Sequence, residues 1–245
     1  MNETTATLLQ EIAENMPKVY TAGVEVGKEK GKKAEYDAFW DITQQYGKRA
    51  GHAYAFSGNG WTAENFKPKY DIIVKTTARR MFAGALKNVD IEKHLNDLGI
   101  KFDTSGVTSV DGFDYFCEYS SPSVLPVIDT TGTTQIRYFA YHCSELVTIR
   151  KLKLKDDGSQ KFTRPFENNT ELRNIEIEGK IGNSIDFSGC PVLSKASLES
   201  IISHLSPTAT FTITFSQTAV NNAFTTDEWQ AIINAKPANV TISLV

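Results

Sequence analysis

FAYHCSELVTI (residues 139–149) and FENNTELRNIEI (residues 166–177) are two versions of one pattern, and their repetition decides how the chain is read. Each opens on a phenylalanine and closes on an apolar run, and the second lacks the cysteine of the first. Working outward, YFCEY leads into SVLPVI (Ser123–Ile128) upstream, and IDFSGCPVL (Ile185–Leu193) restates the Cys-x-x-Leu element downstream. Aligned in this way, Leu125, Leu146, Leu172 and Leu193 recur at intervals of 21, 26 and 21 residues. A period of this size marks units that cannot bury an apolar face alone and stack on their neighbours. The long interval contains Asp156-Asp157-Gly158, a hairpin-type turn signal. Before it, Lys151, Lys153 and Lys155 alternate with Leu152 and Leu154, so a lengthened strand and turn account for the extra residues.

On the C-terminal side, Ser194 precedes a segment in which Leu198, Ile201, Ile202 and Leu205 share one helical face. TFTITF (residues 210–215) alternates in strand fashion. Thr225 and Glu228 form a capping box that opens a helix through Ala235, Pro237 stops it, and NVTISLV closes the chain as a strand. Such an ending covers the last exposed apolar face of a repeat array. On the N-terminal side, Thr5, Leu9, Ile12, Met16, Val19, Gly23 and Val26 follow alternating steps of four and three. That is a heptad seam for oligomerisation or anchoring, interrupted by Pro17; the other reading of the segment is a solvated tail. Gly23, Gly27 and Gly31 recur every four residues, and the charges at Glu25, Lys28, Glu29, Lys30, Lys32 and Lys33 exclude a membrane span there. Tyr36, Phe39, Trp40, Thr43 and Tyr46 then give a second helix an aromatic stripe, with Gly47 as its stop.

The Phe-x3-Cys-x2-Leu-x2-Ile pattern resembles the BspA-like class of leucine-rich repeats, found in bacterial surface proteins and in phage and prophage proteins. KKAEYDAFWDITQQYG (Lys32–Gly47), FSGNGWTAENFKPKYDI (Phe56–Ile72) and FSGCPVLSKASLESIISHL (Phe187–Leu205) resemble short proteins encoded by Firmicutes phages and prophages. The resemblance implies an α+β fold: an N-terminal helical or coiled-coil segment, a short irregular leucine-rich-repeat solenoid and an α/β C-terminal cap. The corresponding boundaries are 1–33 for the helical segment, 34–110 for a helix and repeat N-terminal cap, 111–193 for the repeats and 194–245 for the closing cap.

Composition narrows function mainly by exclusion. The 245 residues carry 26 basic and 29 acidic side chains, a formal net charge of −3, which does not suit a generic nucleic-acid or anionic-membrane binder. No apolar run reaches the ~20 residues of a bilayer span, and the opening MNETTATLLQEIAENM has neither the basic nor the apolar region of a Sec signal. Cys117, Cys143 and Cys190 are too few for a disulfide scaffold and suit a reducing compartment. His52, His94, His142 and His204 are isolated, without HExxH spacing, and no GxSxG, P-loop or dinucleotide fingerprint occurs. His142 adjoins Cys143, but neighbours on a strand point to opposite faces, which leaves Cys143 as a packed core residue. Ser57-Gly58-Asn59-Gly60-Trp61 reads as a turn before a tryptophan. Asp111, Asp114 and Glu118 could oppose one another as glycosidase carboxylates do, or form a solvated edge beside Gly112. Lys151, Lys153 and Lys155 read as a solubilising, edge-protecting face.

The expectation is therefore a non-enzymatic virion protein of tail, baseplate or fibre type, assembled in the host cytoplasm, with no catalytic residues, metal or cofactor. Its seam (Leu9, Ile12, Met16, Val19, Gly23, Val26) would bind other virion proteins or a second copy. Its body would contact a protein or glycan, as in host attachment. The alternatives are a prophage-encoded surface adhesin and a glycan-cleaving enzyme built on Asp111, Asp114 and Glu118.

Overall fold

The structure, a computed structural model, describes residues 56–58, 61–68 and 71–245. The heptad seam at Leu9, Ile12, Met16, Val19, Gly23 and Val26 and the aromatic helix read over residues 36–46 lie outside the described residues. Among the described residues there are four helices and ten strands. Strands β1 (Ile72–Ile73) and β2 (Phe102–Asp103) flank helix α1 (Ile91–Asp97) and pair with each other. Then follow β3 (Val124–Asp129), β4 (Gln135–Arg137), β5 (Thr148–Lys153), β6 (Lys161–Thr163), β7 (Asn174–Glu178) and β8 (Ile185–Phe187). The C-terminal part runs α2 (Lys195–Ser203), β9 (Phe211–Phe215), α3 (Gln217–Ala223), α4 (Thr226–Ala235) and β10 (Val240–Leu244).

These strands form four small sheets, β1-β2, β3-β5-β7, β4-β6 and β8-β9-β10, every pairing parallel and none closed. This corrects the expected α+β organisation of helical segment, leucine-rich-repeat solenoid and cap. Two physical reasons account for the difference. The first is register: Leu125 lies inside β3 and pairs with Ile149, which pairs with Ile175. Leu146 and Leu172 instead stand two residues ahead of β5 and β7, where the segment before β3 has Pro122. All four aligned leucines are buried, but they do not occupy one repeated position. The second reason is connectivity. β5 and β6 belong to different sheets, so Asp156-Asp157-Gly158 makes no hairpin, and from β3 to β7 each strand pairs with one that lies beyond its neighbour in sequence. Parallel neighbours require such long crossovers.

An Asp turn closes β2 at Asp103 and β3 at Asp129, and the same turn recurs at Asp157, between β5 and β6, and at Asp186, inside β8. Asp103, Asp129, Asp157 and Asp186 accept through Oδ1 from the amide two residues on, at Ser105 (2.9 Å), Thr131 (3.0 Å), Ser159 (2.8 Å) and Ser188 (2.7 Å). The side chain mimics a backbone turn, and at Asp103 and Asp129 that turn coincides with the end of the strand. At Gly179 (φ +91°) a β-carbon would meet the Leu154 carbonyl of the neighbouring segment, so the close approach of the two backbones there requires glycine.

A file of phenylalanines runs through the core. Phe56 stacks on Phe82 (5.3 Å), Phe82 meets Phe116 edge-on (5.4 Å), and Phe116 stacks on Phe139 (5.1 Å). Phe139 then meets Phe166 (6.2 Å), which stacks on Phe187 (5.0 Å), itself stacked on Phe215 (5.9 Å). Such ring pairs add ~0.5–1.5 kcal/mol each beyond the area they bury. The cysteines serve the same core: Cys143 Sγ donates to the Cys117 carbonyl (2.8 Å) and Cys190 Sγ to that of Phe166 (3.5 Å). In the segment without a cysteine, Asn169 Nδ2 donates to the Ala140 carbonyl (2.6 Å); in the Cys117 segment, Ser120 Oγ donates to that of Leu86 (3.3 Å). What recurs is a small side-chain donor for a buried carbonyl, and sulfur is one way to supply it.

In the C-terminal part, α2 connects β8 to β9, while α3 and α4 connect β9 to β10. Ser194 caps α2 by accepting from Ser197 N, and its Leu198 and Ile201 are buried. Thr225 and Glu228 complete both halves of the capping box of α4. Helix α3 has the sequence QTAVNNA, buries Ala219 and Val220, and carries no apolar periodicity long enough to announce it.

Candidate functional site

Three backbone ladders lie side by side around the phenylalanine file. Arg80, Phe82 and Gly84 donate to the carbonyls of Asp114, Phe116 and Glu118. Tyr115, Cys117 and Tyr119 donate to Arg137, Phe139 and Tyr141, and Tyr138, Ala140 and His142 donate to Thr163, Pro165 and Glu167. In each segment two residues four apart adopt positive φ: Arg80 and Gly84 (53° and 61°), Tyr115 and Tyr119 (59° and 52°), Tyr138 and His142 (52° and 57°), Arg164 and Asn168 (45° and 58°). The ladder brings the like positions together, so two files of side chains run across the segments: Arg80, Tyr115, Tyr138, Arg164 and, beside it, Gly84, Tyr119, His142, Asn168.

A left-handed backbone costs an L-residue ~1–2 kcal/mol, and Gly84 shows that glycine meets the geometry without that penalty. Bulky residues nevertheless occupy most of these positions. Backbone strain of this kind collects at functional sites.

The side chains make one continuous aromatic group. The Arg80 guanidinium sits 4.4 Å over the Tyr115 ring, and Tyr115 stacks on Tyr138 at 5.0 Å with 11° between planes. Tyr138 meets Tyr141 edge-on (5.2 Å), and Tyr141 meets Tyr119 in the same way (5.6 Å). His142 packs on Tyr141 (4.2 Å) and Tyr119 (5.1 Å), and its Nε2 accepts from Asn168 Nδ2 (2.9 Å). Tyr119 is 61% exposed, whereas its neighbours are half-buried. Partial burial, followed by the Glu167 carboxylate, pushes the Tyr141 phenol above its ordinary range and keeps it a protonated donor.

The charges around the rings are balanced. Arg80 pairs with Glu118 (3.7 Å), Arg164 with Glu167 (3.4 Å) and Arg79 with Asp111 (3.2 Å). Arg137 pairs with the fully buried Asp114 (2.5 Å), which also accepts from the Arg137 amide (3.0 Å). Burial raises the Asp114 pKa against the opposing pull of Arg137. Asp111 is held below its ordinary range, first by the Ser109 hydroxyl (2.7 Å). The three carboxylates read as a possible glycosidase set thus each serve a different arginine, and Asp114 is internal.

The remaining candidates separate as well. Cys143 is buried against Cys117 (Sγ–Sγ 3.5 Å), while His142 turns to the tyrosines, so thiol and imidazole form no pair. Burial pushes the thiols of Cys117 and Cys190 up. Lys151 pairs with Glu176 (2.8 Å) and Glu178 (3.2 Å), and Lys153 with Glu178 (3.3 Å), so this strand face is salt-bridged. Trp61 is buried and donates from its indole to the Phe56 carbonyl (3.1 Å). His94 is bonded to the Phe66 carbonyl and His204 to that of Ser200 (2.7 Å). Among the described residues no cluster of three or more His, Cys, Asp or Glu could hold a metal ion, and no helix is long and apolar enough to cross a membrane.

The tyrosine files were not legible as a site in the sequence, where YFCEY reads only as a lead-in to a strand. The available signal was the recurrence of tyrosines three or four apart around the core phenylalanine, at Tyr115 and Tyr119 and again at Tyr138 and Tyr141. Comparison of the chain with family models, with curated proteins and with solved structures finds no match.

Proposed function

We propose that the chain is a non-enzymatic contact protein of a bacteriophage or phage-like particle, of tail, baseplate or fibre type. In this reading the tyrosine files meet a protein or glycan during host attachment, and the heptad seam at residues 5–26 holds the chain to the particle or to a second copy. One observation carries the reading: tyrosine, arginine and histidine occupy left-handed positions that glycine would fill more cheaply, and together they build a part-exposed aromatic surface around Tyr119. Tyrosine and arginine are the residue types that dominate contact surfaces, because a rigid amphipathic ring gains contact area at little loss of side-chain freedom. The resemblance to phage-encoded proteins supplies the setting.

The test is mass spectrometry of density-gradient-purified particles from the encoding phage or induced prophage. The chain is expected among the particle proteins. Its absence from particles, with the chain found on the bacterial surface instead, overturns this reading in favour of a prophage-encoded adhesin.

A further inference from the structure

We infer that the tyrosine files bind an uncharged polysaccharide lying across the chain segments, along the row Tyr119, His142, Asn168. The inference rests on the contact-protein reading and names the ligand class of that same surface.

Spacing is the first argument. Adjacent segments are held by backbone hydrogen bonds, which set them ~4.8 Å apart, and the stacked Tyr115 and Tyr138 rings are separated by 5.0 Å. This step is close to the advance per residue of an extended glycan. From Gly84 to Asn168 the row crosses three such steps, about 14 Å, room for about three sugar units. Gly84 contributes no side chain to the row.

Chemistry is the second argument. A pyranose presents a C–H face that packs on an aromatic ring and a rim of hydroxyls that need donors and acceptors. Tyr119 offers the exposed ring. Around it stand the phenols of Tyr138 and Tyr141, the His142–Asn168 pair, and Arg164 with Glu167, groups that both donate and accept. The rings of Tyr115 and Tyr138 are engaged with Arg80 and with each other, so they support the surface, and the sugar face falls to Tyr119.

Charge is the third argument, and it separates this ligand from a polyanion. Arg80, Arg137 and Arg164 are each paired with a carboxylate, so among the described residues these arginines offer no excess positive charge to phosphate or uronate. Tyrosine and arginine also anchor protein partners, so the protease arm of the experiment below is what separates a protein from a polysaccharide. The exposed large aliphatics Leu98, Val110, Val127 and Val245 do not belong to either file.

The experiment is co-sedimentation of the full chain with walls of the host bacterium in three forms: untreated, protease-treated and periodate-oxidised. The expected result is equal binding to untreated and protease-treated walls, insensitivity to added salt, and a loss of about tenfold or more after oxidation. Tyr119→Gly lowers binding about tenfold, the effect of losing one stacked ring, while Tyr119→Phe stays within about threefold because the ring remains. Val127→Ala, on a strand of another face, binds as wild type. Tyr119→Gly relieves a positive φ, and an unchanged circular dichroism spectrum shows that it folds. The inference is overturned by any of four results: binding that protease destroys, which means a protein partner; binding that salt abolishes and oxidation spares, which means a polyanion; no sedimentation with any wall; or undiminished binding by Tyr119→Gly. A chain present in particles that fails here removes the polysaccharide alone. Wall binding by a chain absent from particles removes the particle reading alone.

Discussion

Replacing Tyr119 by alanine and by glycine separates the backbone from the ring. Both substitutions delete the same contacts, with Tyr141 at 5.6 Å and His142 at 5.1 Å, so their difference reports the backbone alone, at φ 52°. At an ordinary position glycine is less stable than alanine by ~0.5–1 kcal/mol, because it loses more freedom on folding. At a left-handed position alanine bears ~1–2 kcal/mol that glycine does not. The two effects oppose, and Tyr119→Gly is expected to be more stable than Tyr119→Ala by ~0.5–1 kcal/mol. Val127, exposed in β3, is the control: there the glycine variant is expected to be the less stable by a similar ~0.5–1 kcal/mol. The four variants are compared by urea denaturation followed by circular dichroism, with thermal midpoints as a second readout at ~2–4 °C per kcal/mol. If Tyr119→Gly falls below Tyr119→Ala by as much as the glycine falls below alanine at Val127, the files are unstrained. The argument that their side chains are kept for contact then fails.

Other expected outcomes follow from the core and the caps. Gly179→Ala forces a β-carbon into the Leu154 carbonyl at φ +91° and is expected to cost ~2 kcal/mol or more in urea titrations. Phe139→Ala opens the middle of the phenylalanine file and is expected to cost ~3–5 kcal/mol, whereas a surface change such as Lys180→Ala moves the midpoint little. Glu228 is lowered from 4.5 to about 2, first by Lys195 (2.7 Å) and then by Thr225. A carboxylate with a depressed folded pKa adds stability that is present above 4.5 and is lost as the pH falls toward about 2. Glu228→Gln is therefore expected to weaken α4 at neutral pH and to flatten its acid transition in that window, read by Trp229 fluorescence. The thiols of Cys117, Cys143 and Cys190, all buried, are expected to react with a thiol reagent only at the rate of unfolding.

What the sequence disclosed is the chemistry of burial. The phenylalanines, the cysteines, the apolar face of α2 and the capping box at Thr225 and Glu228 all stand where pattern places core and caps. It did not disclose register. Leucine and isoleucine are interchangeable as buried volume, so aligning Leu125 with Leu146 was as consistent with periodicity as the true pairing with Ile149. Nor did the lysine–leucine alternation before Asp156-Asp157-Gly158 reveal that β5 and β6 enter different sheets, since alternation reports a half-buried strand and says nothing of its partner. The tyrosine surface was hidden for a further reason. Tyr115 and Tyr138 meet only because two segments 23 residues apart are laddered together, and the positive φ at both leaves no mark in a bulky residue's identity. The corner aspartates were readable in principle, as Asp-x-Ser or Asp-x-Thr, and Asp103 and Asp129 mark the ends of β2 and β3.

The central claim, that the tyrosine files are the contact surface, is tested most directly by competition for attachment. Purified full chain is mixed with host cells before phage is added, and adsorption is counted. Wild-type chain is predicted to block adsorption, and Tyr119→Gly at the same concentration to leave it intact. Equal blocking by both proteins contradicts the account, because the surface would then lie elsewhere on the chain.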